Sequence, residues 1–160
     1  MSISDVLLKD LLRKAVEKCY EKDMTLIERG MEQASVARIF YYMQNFIDYD
    51  EMYARLKAYD LDCEYNKNGE HTKATQRCKN GTKPDMTMHK RKSNEKNLLV
   101  VEFKSRKSKG KKWNGTSKYM DEVKLEDYTL PEIYNYQLGV WVKLNKNRPI
   151  FTFFKNGEQQ

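Results

Sequence analysis

Cysteine is scarce: the chain has three, at positions 19, 63 and 78, with no close pair among them. An odd, scattered set excludes a disulfide scaffold and suits a reducing compartment, so a cytoplasmic location is expected. Long apolar runs are missing as well. None exceeds a handful of residues, which excludes a membrane-spanning helix. The opening Met-Ser-Ile-Ser-Asp lacks a basic region leading into an apolar stretch, and no secretory leader is expected. No glycine-rich phosphate loop occurs, so a nucleotide-binding fold is not supported. There are no internal repeats and no linker-like segment. Cys63, His71, Cys78 and His89 supply zinc-type ligands, but no two of them have the close spacing of a structural knuckle. His89 reads as a hydrogen-bonded structural histidine in preference to a general base.

What is present suffices for one domain. The 160 residues are 39% hydrophobic and 33% charged, with eleven Tyr, six Phe and two Trp, too apolar and aromatic for a disordered chain. That length matches a single domain, 1–160, able to bury one core. Its net charge of +7 is unevenly spread. Residues 83–112 hold eleven basic and three acidic residues, a segmental charge of +8, and the rest of the chain carries −1. A polyanionic partner is the physical reading, because Lys and Arg beside phosphates release condensed counterions. A solvated lysine-rich loop that only aids solubility is the plainer alternative.

Periodicity predicts helices over 4–20, with Ser4 as N-cap, and over 30–47, where Val36, Ile39, Phe40, Met43, Phe46 and Ile47 form an apolar stripe. Alternation predicts strands over 62–66 and 85–89, with a turn signal at Asn68-Gly69 between them and a polar loop or weak hairpin over 67–83. Leu98-Leu99-Val100-Val101 reads as a strand buried on both faces. The basic stretch 105–117 is expected to be a loop, 119–128 a short helix ending before Pro131, and 134–144 and 150–154 two further strands.

The polar residues 91–96 lie between the second and third strands and read as a hairpin turn centred between Ser93 and Asn94. Opposed residues of an antiparallel pair have a constant index sum, and this turn places Asp85 opposite Glu102. Lys104, two residues on, emerges on the face of Glu102, and Phe103 points to the other. Adjacent carboxylates repel unless a cation lies between them, and hard oxygen ligands suit Mg²⁺, with Mn²⁺ as a substitute. A lysine beside that ion can orient or deprotonate water, or neutralise charge on a reacting phosphate, so the set points to metal-assisted phosphodiester hydrolysis. Glu32 continues the stripe of Val36, Ile39 and Met43, where an unpaired carboxylate would be costly. A partner inside would explain it, as would a carboxylate placed to suit the helix dipole; Glu28 is one turn earlier on the same stripe.

Pro84-Asp85, followed after sixteen residues by Glu102-Phe103-Lys104, resembles the PD-(D/E)XK nuclease superfamily. Glu32 with Arg38, Asp62–Asn66, Pro84–His89, Asn97–Glu102, Asp121 with Lys124-Leu125, and Tyr136-Gln137-Leu138-Gly139 extend the likeness over about residues 28–144 to a group of small single-domain bacterial proteins. The resemblance implies an α/β, restriction-endonuclease-like fold with two N-terminal helices and a central mixed sheet of four to five strands flanked by helices. It further implies that Asp85 and Glu102 bind the metal with the carbonyl of Phe103, that Lys104 activates or positions water, and that Glu32 completes the site. Gln137 resembles a glutamine of some nuclease branches, although here it falls on a predicted strand. Glu64 is a candidate supporting residue or a surface carboxylate. Arg106, Lys107, Lys109, Lys111 and Lys112 are the expected nucleic-acid contacts; Trp113 among them can stack on a base or anchor the loop. The expectation is a Mg²⁺-dependent nuclease acting on nucleic acid, DNA foremost, with no membrane partner and with room for a homodimer. The rival is a non-catalytic nucleic-acid-binding or protein-interaction module that keeps the fold.

Overall fold

Ser4 opens the first helix, α1 (Asp5–Lys22), by accepting a hydrogen bond from the Leu7 backbone N at 3.2 Å. The stripe Leu8, Leu11, Leu12, Ala15, Val16 and Cys19 is fully buried. The computed structural model describes residues 2–68, 71–93 and 95–160. A short helix not anticipated from periodicity, α2 (Met24–Arg29), precedes α3 (Glu32–Tyr49). The N-terminal region therefore holds three helices instead of two. Gly30 separates α2 from α3 with φ of 69°, a left-handed conformation that suits glycine at a helix C-terminus. In α3 Val36, Ile39, Met43 and Ile47 are buried, and a 3-10 helix over Glu51–Ala58 follows.

The strands are β1 (Asp60–Cys63), β2 (Lys67–Asn68), β3 (His71–Thr72), β4 (Met86–His89), β5 (Leu99–Ser105), β6 (Leu138–Leu144), β7 (Pro149–Lys155) and β8 (Glu158–Gln159). The fourth helix, α4 (Met120–Thr129), lies between β5 and β6. Among the described residues, six strands form one mixed sheet in the order β1-β4-β5-β6-β7-β8, one more than the upper expectation, because Glu158–Gln159 add β8 at the edge. Among the described residues, β5 and β6 are the one parallel pair of the sheet, joined by the crossover through α4 that a parallel pair needs. β2 and β3 make a separate small hairpin; Gly69 of the expected Asn68-Gly69 turn lies outside the described residues.

Two strands are cut short by the backbone where the alternation runs on. β1 stops at Cys63 because Glu64 takes φ of 52°, and the run from Tyr134 is broken by Asn135 at φ of 51°, so β6 begins at Leu138. A positive φ takes the chain out of the extended region, whatever its side-chain pattern. Tyr134 and Tyr136 pack instead with Tyr128, Leu125 and Val100.

One face of the sheet packs on α1 and α3 through Met86, Met88, Leu99, Val101, Phe103, Val140 and Val142. The other packs on α4, where Val100 meets Leu125 and Tyr128. Successive residues of β5 thus alternate between the two layers, with Phe103 buried toward α1 and α3, as expected, and Glu102 on the α4 side. Among the described residues, no helix is long and apolar enough to cross a membrane.

A candidate metal and catalytic site

The hairpin of β4 and β5 pairs Met86 with Val101, Thr87 with Val100 and Met88 with Leu99. This is the index sum expected for an Asp85–Glu102 pair, although Asn94 of the turn itself lies outside the described residues. Asp85 stands one residue before β4, and its Oδ2 accepts a hydrogen bond from the Phe103 backbone N at 2.7 Å. The carboxylate thus replaces a ladder partner where the strand pair ends.

Glu102 is buried, with 2% of its surface exposed. Its Oε1 has no hydrogen-bond partner among the described residues; the Lys124 ammonium stands 3.5 Å away. Lys104 emerges on the same face and places its Nζ 2.9 Å from Asp121 Oδ2 and 3.9 Å from Glu32 Oε1. Glu32 comes from the opposite layer, at the first residue of α3, and reaches the end of β5, where its Oε2 accepts from the Ser105 backbone N. Its place in the first helical turn suits the dipole, and it also has the inward partners that its position on the stripe called for. Glu28, the neighbouring acid on the sequence stripe, is exposed on α2.

Two further members come from α4. Asp121 and Lys124, three residues apart, share a helical face, with Lys124 Nζ 3.3 Å from Asp121 Oδ1. The sequence likeness includes both residues, yet it assigns neither a role. The signal that could have found them is an acid and a lysine at helical spacing on an element that must pack against β5.

Burial dominates the electrostatics. It pushes the Asp85 carboxyl up to about 6, assisted by Asp121 and Glu32 and opposed by the Phe103 N–H and Lys124. Glu102 lies well above the usual carboxylate range, from burial first and the nearby Asp85 second. Burial works against the charge of Lys104, but Asp121, Glu32 and Asp85 outweigh it and hold the amine above its ordinary value. Lys124 is held up in the same way by Glu102, Asp121 and Asp85. Both lysines are therefore ammonium groups, able to donate hydrogen bonds and to stabilise negative charge.

An open cleft of about 330 Å³ adjoins Asp85, lined also by Glu32, Gln33, Val36, Ala37, Cys63 and Glu64. Glu64 is exposed there and pairs with Lys83 at 3.0 Å, at the rim of the site. Gln137 is elsewhere: it lies just before β6, at the opposite end of the parallel pair, and its Nε2 donates to the Ile3 carbonyl at 2.9 Å and to Asp5 Oδ1 at 2.7 Å. It tethers the N-terminus and does not join the cluster.

Arg106, Lys107, Lys109, Lys111 and Lys112 are all exposed, on a loop stretched between the N-terminal ends of α3 and α4. The Lys107 stem passes so close to Gly30 that an added Cβ would stand 2.9 Å from it, and the Lys111 carbonyl accepts from the Met120 backbone N at 2.8 Å. Lys112 Nζ lies over the Tyr119 ring, 3.4 Å from its centre. Trp113 is half-buried under the Arg77 guanidinium, 5.8 Å from the ring centre, so it braces the loop. His89 Nε2 stands 3.0 Å from Asp62 Oδ2, and burial holds the imidazole below its ordinary value, consistent with a structural histidine.

Among the described residues, no three His, Cys, Asp or Glu side chains form a ready-made cage for an ion. Two neighbouring carboxylates, one with a buried oxygen free of hydrogen bonds, are still the hard donors that suit a small divalent cation, and Asp85 and Glu102 fit one. Compared with family models, curated proteins and solved structures, the chain matches none.

Proposed function

We propose that this protein is a metal-dependent nuclease of restriction-endonuclease-like architecture that hydrolyses phosphodiester bonds in nucleic acid, with DNA as the foremost substrate and Mg²⁺ as the cofactor. One observation carries the reading: Glu102 presents a buried carboxylate oxygen with no hydrogen bond among the described residues, countered only by the Lys124 ammonium at 3.5 Å, on the sheet face that it shares with Lys104, while Asp85 is tied to the adjoining Phe103 N–H. A protein that only binds a polyanion has no need of buried carboxylates there. The mixed sheet and the helix-borne Glu32 agree with the architecture that the sequence resemblance implies.

Asp85 and Glu102 would hold the ion, with the Phe103 carbonyl as the third protein ligand that the resemblance suggests. Bound there, Mg²⁺ would act as a Lewis acid on the scissile phosphate and ease proton loss from the attacking water. The ammonium of Lys104 supplies a hydrogen bond and positive charge to the reacting phosphate, a positioning and electrostatic role. Asp121 and Glu32 keep Lys104 charged and aimed. The exposed cations from Arg106 to Lys112 would hold the polymer's phosphates across the mouth between α3 and α4.

The test is single-turnover cleavage of single- and double-stranded DNA and RNA at saturating protein with Mg²⁺. Glu102→Gln should abolish cleavage. Lys104→Ala should lose about 10²–10³-fold in rate, the cost of removing one charge-stabilising donor, while its dissociation constant in Ca²⁺ moves only a few-fold. Wild-type protein that binds nucleic acid but cleaves none of these substrates with Mg²⁺ or Mn²⁺ would transfer the assignment to a binding module.

A further inference from the structure

The cluster around Glu102 contains four carboxylates, of Glu32, Asp85, Glu102 and Asp121, and two ammonium groups, of Lys104 and Lys124. Fully ionised, it lacks two positive charges, the charge of one divalent cation. The lysines are not held alike. Lys104 has a close partner in Asp121 Oδ2 at 2.9 Å. Lys124 hangs between Asp121 Oδ1 at 3.3 Å and Glu102 Oε1 at 3.5 Å, both longer than the ~2.7–2.9 Å of a good charge-assisted hydrogen bond. Its side chain keeps 23% of its surface exposed, whereas Glu102 keeps 3%. Lys124 therefore has a route out of the cluster, and Glu102 has none. A lysine is a point charge on a flexible stem, suited to such a movement.

We propose that Lys124 is a stand-in cation: it covers Glu102 when no divalent ion is bound, swings toward Asp121 when one enters, and thereby sets the ion concentration at which the site fills. The inference rests on the metal-site reading above. An entering ion must displace the ammonium from Glu102, so the energy of that contact is subtracted from metal affinity. Asp121, one helical turn before Lys124, gives the displaced ammonium a second acceptor and makes the exchange easier. Lys104 is not exchanged, because its close contact is with Asp121 and not with Glu102.

Mn²⁺ titration calorimetry on the full chain, at fixed pH and ionic strength, tests this without reference to cleavage. Lys124→Gln should bind Mn²⁺ about tenfold more tightly than wild type, within the ~10–100-fold by which residues behind metal ligands shift affinity. Lys124→Met should behave alike and serves if the glutamine variant does not fold. Lys124→Arg, which keeps the charge, should show no tightening. Asp121→Asn should weaken binding, and this effect should shrink in the Lys124→Gln background, since the ammonium it accommodates is gone. Glu102→Gln should bind no Mn²⁺. If wild type binds Mn²⁺ through Glu102 but the neutral variants bind it no more tightly, the stand-in role fails and the metal site stands. If neither wild type nor the neutral variants bind Mn²⁺, the metal-site reading fails and takes this inference with it.

Discussion

Asp85 and Glu102 are acids kept largely from water, and their proton affinities follow from that. For Asp85 the folded-state value, about 6, lies above the ordinary 3.8. The folded protein therefore binds more protons than the unfolded chain between those two values, and stability falls as pH rises through that window. Asp85→Asn removes this penalty while its amide oxygen can still accept from the Phe103 N–H. In metal-free buffer the variant should gain little near pH 4 and a constant amount above about pH 7, on the order of 1–3 kcal/mol. Denaturant midpoints measured across that range check it; a gain independent of pH would mean that Asp85 is not strained by burial. The two carboxyls interact, so the transition belongs to the pair. Lys104 is the counterpart: its neighbours keep it charged, which makes it a hydrogen-bond donor and not a base.

Asp85, Glu102 and Lys104 were legible in the sequence because strand parity and a constant index sum are local rules. Asp121 and Lys124 were not. In α4, seven of ten residues are buried, including Asp121, Glu126 and Asp127, so no clean polar face marks which charged residues point inward.

Among the elements, α4 decides how the cluster closes, and Gly139 on β6 decides how near α4 can come. A Cβ there would stand 3.0 Å from Thr129 Cγ2, 3.3 Å from Phe154 Cβ and 3.4 Å from Leu125 Cδ2. Gly139→Ala should therefore push α4 outward and cost about 1–3 kcal/mol, the usual range for an overfilled core. Urea unfolding measures the change; an unchanged midpoint would show that α4 has slack. The same substitution should also weaken Mn²⁺ binding or cleavage less than Glu102→Gln does, since it moves neither Asp85 nor Glu102 along its strand. The element boundaries show where local pattern falls short. The residues after Cys63 and before Leu138 alternate as a strand does, yet the left-handed backbones of Glu64 and Asn135 end the pairing. Short α2 was invisible because six residues hold too few turns to establish a period.

The molecule as a whole sets its basic loop across the N-terminal ends of α3 and α4, the helices that deliver Glu32 and Asp121. Positive charge and the carboxylate cluster thus adjoin, an arrangement that would steer a polyanion to the cluster if the proposed function holds. Replacing Lys107, Lys109, Lys111 and Lys112 with Gln should weaken binding to duplex DNA and reduce the slope of log K against log salt by about 0.9 for each phosphate that the loop no longer neutralises. Filter binding from low to moderate salt measures this, and an unchanged slope would leave the loop as a solvated strap braced by Trp113. The fold should tolerate the change, because all four side chains are exposed.

Residue order alone was enough for the charge segregation, the α1 and α3 stripes, the β4–β5 register and the opposition of Asp85 and Glu102. Each depends on spacing along the chain or on pairing across one short turn, which sequence records directly. The approach of Glu32 from one layer, and of Asp121 and Lys124 from the other, around the end of β5 depended on how two helices dock against opposite faces of a sheet. That docking is the sum of many weak apolar contacts between segments far apart in the chain, and no local pattern carries it.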